Sequence, residues 1–168
     1  AANGGEKVYS LVVQHIIVPE IYDVLEKSDK KTLFSFKRIY VDGEYYSFDA
    51  DNVNYGTLNE MPCPGYENYG QFDAMVEKGD VLAMFTGHDH TNAFGVRNQG
   101  IDIVNSLSTR YNGDRFSTGY GYRIIEVDEN NTSKYTTKAV HWYDFFELND
   151  AFECLKNGNK ADFALTFE

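Results

Sequence analysis

The sequence predicts an α/β fold in which a mixed, strand-rich β-sheet is accompanied by few short helices. Short continuous apolar runs at 8–13 and 81–85 are typical of buried strands. Apolar and polar residues alternate at 135–142, and a turn at 128–131 separates this run from a second strand-like segment that ends at Val127. One segment, 71–79, has a clear helical period, so strands are expected to dominate the fold.

Length and charge narrow the class of protein. The chain has 168 residues, enough for one domain with a hydrophobic core. Its net charge of −11 argues against binding to nucleic acid or to an anionic membrane, and no apolar run is long enough to span a bilayer. Localisation stays unknown; an extracellular or secreted setting is one alternative, and there the sequons at 130–133 would matter. Cys63 and Cys154 could pair or both remain thiols.

The first half of the chain is expected to alternate strands with short connections. The strand at 8–13 ends at Gln14 and His15, and Pro19 suits the first turn of a short helix that continues to Leu25. The charged segment 26–31 is expected to be solvated. An Asp-Gly turn at 42–43 then predicts a β-hairpin at about 32–48, whose aromatic side chains are expected to pack rather than to bind a ligand.

The second half begins with a turn-rich loop at 61–70, which precedes the helix at 71–79. Phe72, Met75 and Val76 fall on one face of this helix, and Gly79 fits its carboxyl-terminal cap. Short strands at 93–96 and 101–104 should flank a turn at 98–100. The tail, 144–168, is predicted to be helical.

The most informative stretch is the hexapeptide Gly-His-Asp-His-Thr-Asn at 87–92, directly after the buried strand at 81–85. In an extended segment His88 and His90 would point to the same side, and imidazole is a common ligand of transition metals. His15 follows the first strand in the same way. Taken alone, these histidines could equally be solvated or structural, and His141 beside Trp142 is expected to pack or to be exposed.

Several patterns together resemble the purple-acid-phosphatase-like branch of the calcineurin-like metallophosphoesterases. The resemblance rests on the hexapeptide and on the segment before it, where a Cys-Pro loop, Asn68, Gly70, Phe72 and a Gly-Asp turn at 79–80 match the family pattern. Upstream, His15 is followed by a Pro-Glu step at 19–20, although Ile17 replaces a usual proline. The resemblance covers roughly 8–127. It implies that residues 1–143 form the carboxyl-terminal half of a four-layer αββα sandwich, with a hairpin insertion at about 32–48.

The resemblance also implies a chemistry. In such enzymes two divalent or trivalent metal ions, drawn from iron, zinc and manganese, activate water and hydrolyse a phosphate ester. By this resemblance His15 and His88 would bind one metal and His90 the other. Asp89 should point away from the metals. Asn92 is a possible pocket residue or else caps a turn, and no catalytic residue is assigned with certainty.

The family's other ligand motifs are not found in this sequence. An Asp-x-His, a Gly-Asp-x-x-Asp and a Gly-Asn-His-Asp/Glu motif are all missing. We therefore expect the chain alone to bind metal weakly or not at all, to lack phosphatase activity, and to associate with its missing amino-terminal half or with itself. The alternative is a non-catalytic β-rich binding or scaffold module that contacts sugar or a protein partner.

Overall fold

The computed structural model describes residues 4–5, 7–32, 35–39, 41–109, 120–141 and 144. Its helices are a 3-10 helix at Pro19–Val24 and an α-helix, α1, at Gln71–Lys78. The strands are β1 Ser10–Val13, β2 Leu25–Ser28, β3 Phe36–Lys37, β4 Tyr45–Phe48, β5 Val53–Thr57, β6 Val81–Thr86, β7 Ala93–Asn98, β8 Ile101–Asn105, β9 Gly121–Val127 and β10 Tyr135–His141. The predicted strand-rich α/β fold with short helices is confirmed.

The largest sheet is mixed and has the strand order β1-β6-β8-β7-β5. β1 and β8 run parallel to β6, whereas β7 is antiparallel to both β8 and β5. Because β1 and β6 are parallel neighbours, their carboxyl ends lie at the same edge of the sheet. The segments that follow these two strands, which carry His15 and His88, therefore start side by side.

One face of the main sheet packs against the 3-10 helix, α1 and a small antiparallel sheet of order β2-β4-β3. Ile21 of the 3-10 helix and Phe94 of β7 are completely buried in this core. The Phe94 ring meets Phe48 of β4 edge-on, with ring centroids 5.5 Å apart. Burial of such side chains stabilises the fold by about 1.5–3 kcal/mol each.

The other face of the main sheet carries the two-stranded β9–β10 sheet. The ring of Tyr135 packs edge-on against Phe85 of β6, with centroids 5.7 Å apart, and its hydroxyl donates a 2.5 Å hydrogen bond to Asp102. The parallel strands of the main sheet are thus covered on both faces, as parallel strands usually are.

Some local predictions need correction. The charged segment 26–31 is largely exposed to solvent, as expected. The strand β2 at Leu25–Ser28 was not predicted; it pairs antiparallel with β4 and starts at a buried leucine. The predicted helix from Glu20 to Leu25 is a 3-10 helix that ends at Val24. The strand β5 was not predicted, because its glycine and its asparagine are residue types typical of turns.

The predicted cap of α1 is confirmed, whereas the predicted tail helix is not tested. Gly79 adopts a left-handed conformation with φ 66° and donates its N–H to the Met75 carbonyl over 3.0 Å, so it caps the helix as predicted. The predicted tail helix at 144–168 lies outside the described residues except for Asp144, and so does Cys154. No helix among the described residues has the length and apolar character needed to cross a membrane.

Candidate metal centre

The segments that follow β1 and β6 remain hydrogen-bonded to each other beyond the strands. The Gln14 amide donates to the Phe85 carbonyl over 3.0 Å, and the Gly87 amide donates to the His15 carbonyl over 3.1 Å. These bonds continue the parallel ladder past the ends of the two strands. The backbone therefore holds His15 directly beside the start of the histidine loop, and this placement follows from the β1–β6 register.

The side chains of His15 and His88 meet. Nε2 of His15 lies 3.0 Å from Nδ1 of His88, and the rings are nearly perpendicular at 85°, with centroids 4.9 Å apart. One of the two nitrogens must carry the proton of this hydrogen bond while the other accepts it. His15 is exposed and His88 half-buried, so the pair is open to solvent on one side.

The third predicted ligand, His90, occupies a different position. It is exposed, and the backbone at 87–91 is not an extended strand, because the chain bends at 90–91. Among the described hydrogen bonds and ring contacts, none joins His90 to His15 or His88. The described part of the chain also contains no group of three or more histidine, cysteine, aspartate or glutamate side chains placed to hold a metal ion.

Asp89, between the two loop histidines, is turned into the protein. Its side chain is only 4% exposed and accepts hydrogen bonds from the Cys63 amide at 3.1 Å and from the Asn92 amide group at 3.2 Å. Burial raises the pKa of the Asp89 carboxyl above its ordinary value, and these two hydrogen bonds only partly oppose the shift. This position agrees with the expectation that Asp89 points away from the metals and binds the loop.

Asn92 is completely buried and connects two loops. Its side-chain oxygen accepts hydrogen bonds from the backbone amides of Asn59 at 2.8 Å and Glu60 at 2.9 Å, while its amide group donates to Asp89. Of the two roles foreseen for Asn92, these bonds support the structural one. They fix the histidine loop to the segment that follows β5.

A third buried amide, Asn105 at the end of β8, completes this network and was not anticipated from the sequence. Its amide group donates to the backbone carbonyls of Asp89 at 3.0 Å and Asn92 at 2.8 Å. The signal that could have found it is an asparagine directly after the apolar run at 103–104, because a buried polar side chain needs partners. Asn105 and Asn92 together set the path of the loop that carries His88.

The donor set determines what this centre can hold. Two ligands of a tetrahedral zinc ion, each about 2.0–2.1 Å from the metal, lie about 3.3 Å apart, so a small opening of the His15–His88 pair would admit one ion between them. The described residues supply no carboxylate to bridge two metals or to balance their charge. The described donors therefore do not fit a two-metal cluster.

Comparison with known proteins agrees with the class that these motifs indicate, a metallophosphoesterase of the purple-acid-phosphatase-like branch. The chain is 30% identical over 109 residues to an Arabidopsis thaliana protein named "Probable inactive purple acid phosphatase 29", a match covering 58% of this chain and 25% of that relative. It is 33% identical over 85 residues to "Probable inactive purple acid phosphatase 14" of the same organism, covering 51% of this chain and 21% of the relative. The resemblance to this branch is thereby confirmed.

These matches concern a limited part of each relative, since this chain spans a quarter or less of their length. No protein-family model matches the chain, and no solved structure matches it. The resemblance to this branch therefore rests on the two curated relatives and on the motifs described above.

Proposed function

We propose that this chain is the carboxyl-terminal, metal-binding portion of a purple-acid-phosphatase-like phosphoesterase and that it is inactive alone. The observation that supports this proposal is the 3.0 Å contact between the imidazole nitrogens of His15 and His88 at neighbouring strand ends. In the complete enzyme, which hydrolyses phosphate esters with two metal ions, the remaining ligands come from the upstream half. His90 contributes to the second metal there.

Two observations support the inactivity of the chain alone. The described residues offer no third ligand to the His15–His88 pair. A bound ion would therefore keep water at its other coordination positions, and the pair would bind it weakly. The two curated relatives both carry the words "probable inactive" in their names. Hydrolysis of a phosphate ester by two metals needs a clamp on both the attacking and the leaving oxygen, and two histidines cannot provide one.

We expect the purified chain to bind at most one zinc ion, weakly, and to leave an aryl phosphate unhydrolysed in the presence of zinc, iron or manganese. Calorimetric titration with zinc measures the affinity, and release of the aryl alcohol measures turnover. The His15→Ala and His88→Ala variants should each weaken zinc binding by about tenfold or more, since each removes one of two ligands.

His141→Ala is the matched control, because this histidine belongs to β10 and is not part of the pair. Its zinc affinity should equal that of the wild type. Rapid turnover of the aryl phosphate would contradict the proposed inactivity. Unchanged zinc affinity in both His15→Ala and His88→Ala would contradict the proposed ligands and favour a binding module with incidental histidines.

The edge of the main sheet supports a second part of the proposal, which concerns partners. Among the described residues β1 pairs on one side only, with β6, and Val13 at its end is 77% exposed. An unpaired edge with an exposed valine is a template for another strand. In the complete protein this edge receives the amino-terminal half, and in the chain alone it receives a second copy.

We expect light scattering to report a dimer or larger species for the chain alone. A lysine at the edge disfavours strand pairing, so Val13→Lys should shift the population towards monomer. Val127→Lys is the control, because Val127 is 54% exposed but lies at the end of β9, outside the main sheet. A strictly monomeric wild-type chain would exclude this mode of association.

A further inference from the structure

A cavity away from the histidine pair lies between the edge strand β5 and the β9–β10 sheet. Its volume of about 610 Å³ is within the range of small-molecule sites. Tyr55, Thr57, Arg123, Thr137 and His141 provide the polar part of its lining. No aspartate or glutamate is among the described residues that line it, although the chain carries 26 acidic against 15 basic residues.

Arg123 is the cation of this cavity, and its hydrogen bonds are incomplete. Nη1 lies 3.4 Å from the Tyr55 hydroxyl and 3.3 Å from Oγ1 of Thr137, which are both long contacts. The Nε–H group is buried and has no hydrogen-bond partner among the described residues. None of the ion pairs found in the described part of the chain includes Arg123.

A half-buried guanidinium without a counterion is costly, because burial removes water from the charge. Among the described residues no carboxylate pairs with Arg123 to offset this loss. Burial accordingly lowers the pKa of Arg123 from its ordinary value, although a guanidinium stays protonated at neutral pH. An anion in the cavity would supply the missing counterion. The described lining of the cavity contains no carboxylate that could fill this position.

The neighbours of Arg123 hold the guanidinium in place. The Thr137 hydroxyl donates to the Ile124 carbonyl at 2.9 Å and therefore presents a lone pair to Arg123. The Tyr55 ring lies under the guanidinium, with Cζ of Arg123 5.0 Å from the ring centroid. The ring in turn covers Gly95, where a Cβ atom would approach the Tyr55 hydroxyl oxygen to 2.7 Å.

Hydrogen-bond donors complementary to an oxyanion are also present. The Thr57 oxygen accepts a 3.2 Å hydrogen bond from the Asn59 amide group, so its own proton remains to be donated. The Tyr55 hydroxyl accepts from Arg123 and likewise keeps its proton for another acceptor. Planar guanidinium and hydroxyl donors together match the oxygens of a phosphate group.

We propose that this cavity binds the phosphate group of a small phosphorylated molecule, with Arg123 as the main ligand and Thr57 and Tyr55 as additional donors. The site does not depend on the histidine pair or on any metal. It is therefore independent of the proposed function, and either could fail without the other.

The test uses inorganic phosphate as the probe and the ¹⁵N-labelled chain, at constant ionic strength and with EDTA present to remove metals. We expect saturable NMR shifts centred on the cavity strands β5, β9 and β10. Arg123→Gln should weaken phosphate binding by about tenfold or more, because it removes a charge-assisted hydrogen bond. Lys138→Gln is the matched control, since this exposed lysine on β10 loses the same charge but alternates away from Thr137 and the cavity.

Several results would overturn the proposal. They are shifts that grow linearly without saturation, shifts centred on His15 and His88, an unaltered affinity in Arg123→Gln, or an equal loss in Lys138→Gln. An equal response to acetate would exclude phosphate as the preferred anion. If Arg123→Gln does not fold, the proposal is tested by whether the shifted signals of the wild-type chain lie at the cavity. The variant Arg123→Lys keeps the charge but not the planar guanidinium, so it should bind phosphate more weakly than the wild type.

Discussion

Replacement of Asn92 by alanine is expected to lower the free energy of unfolding by about 3 kcal/mol, because it removes a completely buried side chain together with three hydrogen bonds to buried or partly buried groups. The backbone amides of Asn59 and Glu60 lose their acceptor, and the Asp89 carboxylate loses a donor. Urea unfolding followed by circular dichroism measures the change. The same variant should broaden the NMR signals of residues 87–92, since this network fixes the histidine loop.

Asn54→Ala is the matched control for this prediction. Asn54 lies on the exposed side of β5 and makes one long 3.3 Å side-chain hydrogen bond to Asp102. Its removal should change the free energy of unfolding by no more than about 0.5 kcal/mol. A loss below about 1 kcal/mol in Asn92→Ala would mean that water or the loop itself replaces the amide, and that the network is not structural.

The second large effect is expected for Gly56→Ala, which should lower the free energy of unfolding by about 3 kcal/mol or disrupt folding. Gly56 has φ 104°, which side chains rarely adopt, and an added Cβ would collide with the Ala93 carbonyl oxygen and lie 2.6 Å from Cα of Phe94. Both of these atoms belong to the backbone of β7, so relief requires separation of β5 from its neighbour. Thermal and urea unfolding measure the loss.

Gly65→Ala provides the comparison, because a Cβ at Gly65 meets nothing closer than the Glu67 carbonyl oxygen at 3.8 Å. It should be neutral within about 0.5 kcal/mol. If Gly56→Ala lowers the free energy of unfolding as little as Gly65→Ala is expected to, β5 can shift easily to make room for the added Cβ. The cavity beside β5 would then lack the rigid wall that its proposed ligand requires.

The meeting of His15 with His88 was predictable, because two apolar runs that form parallel neighbours bring their carboxyl ends to one edge. The position of His90 was not, since the argument from alternation requires an extended backbone and the chain bends at 90–91. Its role as a ligand stays a prediction. Asn105 and β5 were missed because their partners are distant in sequence, and local patterns carry little information about such contacts.

The hydrogen bonds around the histidine loop show that some residues of its motif are needed for folding, whether or not the loop binds a metal. Asp89 and Asn92 are bonded to the backbone of 59–63, and Asn105 anchors both of their carbonyls, so selection for folding alone would retain this part of the hexapeptide. Among the described hydrogen bonds, the side chains of His88 and His90 make none to the backbone that would fix the loop in this way. Among proteins that carry this hexapeptide without hydrolytic activity, we therefore expect substitutions at the two histidines to be more frequent than at the aspartate and the asparagine.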